Sequence, residues 1–240
     1  MAEGKLRIGI FSLSSCEGCL VQMLSLEDYI LDILKNVDLI DCRLLGVSGD
    51  GAVDVAIVEG AVMSNEEEKR LIKIRKKSGI LIAFGDCACH GGKFLVKDFG
   101  VGEINANLPR VGRFKADPLD KYVKVDYYVY GCPVSGEEVL ELFKDLLLGR
   151  EHKPKSYNVC AECILRENAC LLDRGVVCLG PITRGGCRAV CPTFGRGCIG
   201  CRGLAEDANV ESLISVMREK GIEVPEYFHA LLRHAGGGRA

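Results

Sequence analysis

The chain has 240 residues, nearly half of them apolar, and a formal net charge of −2. That length accommodates one medium domain and a smaller one. A balanced charge without a basic stripe leaves nucleic acid no electrostatic footing. Composition departs from the ordinary in one respect, with 14 cysteines and no tryptophan.

Leu6–Leu13 predicts a strand almost at once, ending at Ser14 and Ser15. No n-region, long apolar h-region, cleavage site or twin-arginine leader precedes it. No run of 18 apolar residues predicts a transmembrane helix. A cytoplasmic location is expected, where thiols stay reduced and a cysteine-rich pattern more often binds metal than forms disulfides. A helix is predicted from Leu20 to about Leu34, a second strand over Leu39–Val47 and a third over Val53–Val58. Ser64, Asn65 and the acids Glu66, Glu67 and Glu68 open a helix that runs to about Lys77 and stops at Gly79. Ile80–Phe84 is a fourth strand, Val125–Tyr130 a fifth, and Glu137–Leu148 a closing helix.

This alternation predicts an α/β domain, a parallel sheet with helices on both faces and a flavodoxin-like strand order. Gly149–Asn158 is polar, contains Pro154 and reads as a linker. The expected domains are therefore 1–149, the sheet domain, and 150–240, a small and mostly irregular cysteine-rich domain. Eight cysteines fall between Cys160 and Cys201, among many glycines and few large apolar residues. Such a stretch is expected to lack a conventional core, with metal ligation replacing burial. Val210 to Arg233 reads as an amphipathic helix pair, followed by a Gly-rich tail at Gly236–Gly238.

In an open α/β sheet the C-terminal strand ends form the binding crevice. Cys16 and Cys19 follow the first strand, Glu59-Gly60-Ala61 the third, Cys87 the fourth and Cys132 the fifth. Four thiols around one crevice match a cubane or a zinc site; a thioredoxin-like dithiol at Cys16 and Cys19 would leave Cys87 and Cys132 unexplained. Within Cys87-Ala88-Cys89, Cys87 lies nearer the strand end and is the preferred ligand. Cys89 and Cys42 read as small buried hydrophobes.

The second region reads as Cys160, Cys163, Cys170 and Cys178, then Cys187, Cys191, Cys198 and Cys201. Two sets of four is the arithmetic of two closed sites, and spacing alone leaves iron–sulfur and zinc both open. From Cys160 to Leu204 there are six arginines, no lysine and three acids. Arginine suits partly buried sites and interfaces, and cations near a four-thiolate cubane favour its reduced state. The histidines, at 90, 152, 229 and 234, pair with no nucleophile and acid at recognisable spacing. His152 is a conceivable further ligand, although eight cysteines need none.

The motifs in Cys16-x2-Cys19, Glu59-Gly60-Ala61, Gly85-x-Cys87 with Gly91-Gly92, and Gly131-Cys132-Pro133 resemble the small, iron–sulfur subunit of nickel–iron hydrogenases. Cys187-x3-Cys191-Pro192 followed by Cys198-x2-Cys201 resembles the soluble, cytosolic branch, including sulfhydrogenase delta subunits. The resemblance implies three 4Fe–4S clusters: a proximal one on Cys16, Cys19, Cys87 and Cys132, a medial one on Cys187, Cys191, Cys198 and Cys201, and a distal one on Cys160, Cys163, Cys170 and Cys178. It implies a nickel–iron centre on a partner large subunit, a flavin- or iron–sulfur-containing acceptor subunit, and no bond-making site on this chain. Val134 departs from the pattern, since many members carry a second proline there. The rival readings are a complex I-type cluster subunit, which shares the sheet domain, and a zinc-stabilised binding module. Glu59 is expected by the crevice, fixing loop amides or facing the large subunit.

Overall fold

A computed structural model describes residues 5–92 and 116–224, together with Phe228 and Leu232. The described residues divide into two compact units, one reaching Lys153 and one starting at Pro154. His229, His234, the Gly-rich tail and most of the second half of the expected C-terminal helix pair lie outside the described residues.

The first unit is built on five parallel strands: β1 (Leu6–Ser12), β2 (Val37–Cys42), β3 (Val53–Glu59), β4 (Ser78–Phe84) and β5 (Tyr127–Val129). Their order is β2-β1-β3-β4-β5, the flavodoxin-like arrangement that the strand–helix alternation predicts. Central strands of a parallel sheet are covered on both faces and read as continuous apolar runs. β3 obeys this, with Val55, Ala56, Ile57 and Val58 fully buried. Odd and even positions serve different cores. Ile57, Ile82 and Phe84 pack with Leu20, Met23, Leu142 and Phe143 on one face; Ala56, Val58, Leu81 and Ala83 pack with Leu71, Ala88 and Leu119 on the other.

The helices of this unit are α1 (Gly18–Leu24), α2 (Asp28–Asn36), α3 (Asn65–Lys77), α4 (Asp86–His90) and α5 (Gly136–Leu147). α3 begins as its sequence predicts. Ser64 Oγ accepts from the Glu67 amide, and the Glu67 carboxylate accepts from the Ser64 amide, closing a capping box. The single helix expected from Leu20 to Leu34 is two, broken at Glu27, whose φ of 50° lies outside helical space. The second strand begins earlier and ends earlier than expected. At Arg43–Leu45 the chain makes a tight turn, and Val47 folds back to exchange backbone hydrogen bonds with Cys42 instead of extending the strand.

The second unit holds short elements: α6 (Val159–Leu165), 3₁₀ turns at Leu172–Arg174 and Gly180–Ile182, α7 (Val190–Thr193) and α8 (Val210–Glu219). The expectation that it lacks a core is corrected. Val159, Leu171, Leu172, Leu179 and Ile182 from the cysteine-rich stretch are buried together with Leu213 and Met217 of α8 and with Ile222. Apolar residues of the cysteine-rich stretch make up most of this core, and the amphipathic α8 adds its apolar face to it. Among the described residues no helix is long and apolar enough to cross a membrane.

Candidate metal centres

One register row, Ser12–Glu59–Phe84–Val129, crosses β1, β3, β4 and β5 near their C-terminal ends. Everything that follows those residues emerges at the same edge of the sheet. The edge loops are stitched together by backbone hydrogen bonds: the Ala61 amide to the Ser14 carbonyl at 2.9 Å, and the Asp86 amide to the Gly131 carbonyl at 2.8 Å. Cys16, Cys19, Cys87 and Cys132 are thus carried on the three segments that follow β1, β4 and β5, Cys19 in the first turn of α1 and Cys87 in that of α4. Cys19 is buried, Cys87 and Cys132 are half-buried and Cys16 is exposed.

These thiols lie within electrostatic reach of one another. Burial pushes the Cys87 thiol up to about 12, and the Asp86 carboxylate and the Cys132 and Cys16 thiols add to the effect. Burial and then the Glu59 carboxylate raise Cys19 further still, with Cys132 and Cys87 contributing and an amide hydrogen bond from Val134 opposing. That amide is one a proline at position 134 could not supply.

Glu59, 1% exposed, accepts from the amides of Cys19 and Leu20 at 3.3 and 3.1 Å, fixing the first turn of α1 as expected of a loop-holding carboxylate. Cys89 is buried, its Sγ set against the carbonyls of Ala83 and Val129 at 3.5 and 3.6 Å; Cys42 is equally buried at the end of β2. Both stand in the surroundings expected of small hydrophobes.

The thiol set fits a metal group in its chemistry, since thiols are ligands that a bound metal cation deprotonates outright, and in its space, which is kept by glycine. A Cβ on Gly85, at φ +86°, would collide with Cys19 Sγ, and one on Gly92, at φ +71°, would lie 2.6 Å from Cys87 Sγ.

In the second unit, α6 carries Cys160 and Cys163, and burial pushes Cys160 up to about 12, with the thiols of Cys178, Cys163 and Cys170 adding to it. The thiols of Cys178, Cys163 and Cys170 therefore lie within electrostatic reach of Cys160. Gly180 lies against two of them, where a Cβ would stand 3.4 Å from both Cys160 Sγ and Cys178 Sγ. Asn168 Nδ2 points at Cys163 Sγ from 3.6 Å.

In the remaining set, burial pushes Cys198 up to about 12 against hydrogen bonds from the Gly200 amide and the Thr183 hydroxyl, and Cys178 and Cys187 add smaller upward contributions. Cys191 rides on α7 and Cys201 in the following turn, both half-buried. The two sets touch at Cys198, whose amide donates to Cys178 Sγ at 3.2 Å. Among the described residues, no three His, Cys, Asp or Glu side chains form a single-ion site.

His152 is placed in the first unit, its Nδ1 3.1 Å from Asp145 Oδ2. His90 pairs with Asp86 at 3.1 Å and stacks on Tyr130.

Two polar residues to which the sequence assigns no individual role stand beside Cys187. Glu162, between the cysteines of α6, is 8% exposed, and Arg202 is 1% exposed. Of the six arginines in the cysteine-rich stretch, Arg202 is the one fully buried, while Arg166, Arg174, Arg188 and Arg196 are exposed. An acid enclosed within a C-x-x-C, and an arginine directly after a cysteine, are the signals that could have pointed to them.

Residues 16–146 match the family described as NADH ubiquinone oxidoreductase, 20 Kd subunit. The sulfhydrogenase 2 subunit delta of Pyrococcus furiosus is 37% identical over 220 residues, covering 89% of this chain and 93% of that protein. A vhu subunit of the F420-non-reducing hydrogenase of Methanocaldococcus jannaschii is 29% identical, covering 92% of this chain and 91% of that protein. Among solved structures, a chain of an NAD+-reducing [NiFe]-hydrogenase in the H2-reduced state superposes with a TM-score of 0.55 at 27% identity, over 62% of this chain and 95% of that one. The chain belongs to the small-subunit family of nickel–iron hydrogenases, of the sulfhydrogenase delta-subunit type.

Proposed function

We propose that this hydrogenase subunit passes electrons between a hydrogen-splitting nickel–iron site on a large subunit and a flavin- or iron–sulfur-containing acceptor subunit, in the cytoplasm. The observation that carries the reading is the convergence of Cys16, Cys19, Cys87 and Cys132 from three loops on one sheet edge, repeated by Cys160, Cys163, Cys170 and Cys178 in the second unit. With Cys187, Cys191, Cys198 and Cys201 these make three sets of four thiolates, each suited to a 4Fe–4S cluster, in the proximal, distal and medial positions respectively. Bound there, such clusters supply reversible one-electron storage at potentials set by charge, hydrogen bonds to sulfur and burial.

The chain's own residues provide the rest. Gly85 and Gly92 keep room beside the proximal thiols, Glu59 fixes the amides of Cys19 and Leu20, and the apolar clusters that include Cys19 in one unit and Cys178 and Cys198 in the other limit water. The sheet edge is proposed to face the large subunit in a permanent interface, of the roughly 2,000–5,000 Å² that obligate pairs bury.

The test is iron, sulfide and zinc analysis of the complex purified anaerobically from co-expression with its large subunit. The reading predicts about twelve iron and about twelve sulfide per chain, from three cubanes. Zinc near two with iron near four would remove the two sets of the second unit and leave the proximal one. A colourless, zinc-loaded and monodisperse chain without any partner would replace the reading with the zinc module.

A further inference from the structure

The peptide unit between Gly185 and Gly186, immediately before Cys187, is held from both ends by buried opposite charges. Its carbonyl accepts from Arg202 Nε at 2.7 Å, and its amide donates to Glu162 Oε1 at 2.7 Å. The other oxygen of Glu162 accepts from the Ala189 amide at 3.2 Å and lies 3.9 Å from Cys187 Sγ. Tyr157 donates its hydroxyl to Glu162 Oε1 at 3.3 Å.

The backbone around this clamp is unusual. Arg188 and Ala189 are consecutive non-glycine residues in the left-handed region, at φ 56° and 49°. Such conformations persist only where their surroundings over-determine them. Glu162 supplies part of that constraint, accepting from the amides of Gly186 and Ala189 on either side of Cys187. Gly186, at φ +110°, has no room for a Cβ against the Arg202 guanidinium, so the loop is packed onto the cation as tightly as the carboxylate holds its amides.

We infer that Glu162 and Arg202 form a two-charge clamp that positions the Cys187 loop and sets the reduction potential of the iron–sulfur group bound by Cys187, Cys191, Cys198 and Cys201. The inference rests on the proposed assignment of those four cysteines to one cluster. Glu162 belongs to the helix that carries Cys160 and Cys163, so the same carboxylate also ties one thiol set to the other.

The two charges act on this group in opposite directions. A carboxylate close to Cys187 Sγ disfavours an added electron, and a buried guanidinium beside the same loop favours it. Removing each charge should therefore move the potential in opposite senses. A purely structural role would instead lower occupancy or broaden a signal without that reversal of sign.

The experiment is an anaerobic redox titration of the purified complex followed by electron paramagnetic resonance, for wild type, Glu162→Gln, Arg202→Gln, Arg202→Lys and Cys191→Ser. Cys191→Ser identifies the signal of this set. In Glu162→Gln that signal should persist with full iron content and a raised midpoint. Arg202→Gln should lower the midpoint, and Arg202→Lys should restore it towards wild type.

A midpoint unchanged in both glutamine variants, or moved in the same direction by both, overturns the inference. If Glu162→Gln yields no folded complex, the contrast between Arg202→Gln and Arg202→Lys decides, and equal midpoints in those two overturn it. Absence in wild type of any signal that Cys191→Ser removes defeats the cluster assignment itself, a failure distinct from that of the clamp.

Discussion

The two units of this molecule hold their thiols by different physics. In the first, β3 and β4 are buried on both faces, and burial of each large apolar side chain contributes roughly 1.5–3 kcal/mol. The cysteines follow the sheet; they come directly after three of the four parallel strands that end at one edge. In the second, elements are short, and the cysteine loops are shaped by polar anchors, with Glu162 gripping two amides and Arg202 a carbonyl. The apolar core of that unit draws mostly on the cysteine-rich stretch itself, Cys178 and Cys198 included, with Leu213 and Met217 of α8 added to it. A scaffold can thus precede its metal site, or share with it the work of fixing the chain.

Removing the metal should separate the two regimes most sharply. Stripping iron from the anaerobic complex with an oxidant and a chelator should abolish hydrogen-exchange protection across 160–201, while β3 and β4 keep theirs. Metal binding and folding are coupled where ligation orders the backbone, and protection reports local opening. Equal protection in both regions after stripping would show that the cysteine loops are self-supporting.

A smaller effect is expected from the opposite perturbation. Ile57→Ala, at a fully buried position of β3, should cost about 2–5 kcal/mol. The loss should appear as faster exchange of β3 and β4 amides, with the exchange of 160–201 unchanged as long as the clusters are bound. Smallest is the cap of α3. Ser64→Ala removes one half of the capping box and should cost about 1 kcal/mol, read as faster exchange in the first turn of α3 alone.

The sequence made the first unit legible because its organising force is periodic. Runs such as Val53–Val58 announce a buried parallel strand, and Ser64 with Glu67 announces a helix start. Where a local conformation decided the outcome, the pattern misled. Leu20 to Leu34 is apolar at helical spacing without proline, yet Glu27 at positive φ splits it. Leu39–Val47 is largely apolar, yet a turn at Arg43–Leu45, closed by Gly46 at φ 69°, sends Val47 back onto Cys42.

In the second unit the cysteines themselves were legible, since thiols at these spacings admit few uses. The core was not. Val159, Leu179, Leu213 and Met217 are scattered over a long stretch with no common period, and only the tertiary fold unites them. Glu162 read as one acid among three, because nothing in a sequence says that a carboxylate is buried or which amides it meets.

The division of twelve thiols into three independent sets is tested most directly by iron content per chain in single-cysteine variants of the complex. Cys87→Ser, Cys163→Ser and Cys191→Ser should each lose about four iron and keep about eight, and Cys89→Ser should keep about twelve. A loss of about eight iron from Cys163→Ser or Cys191→Ser, or a loss of iron from Cys89→Ser in place of Cys87→Ser, would contradict it.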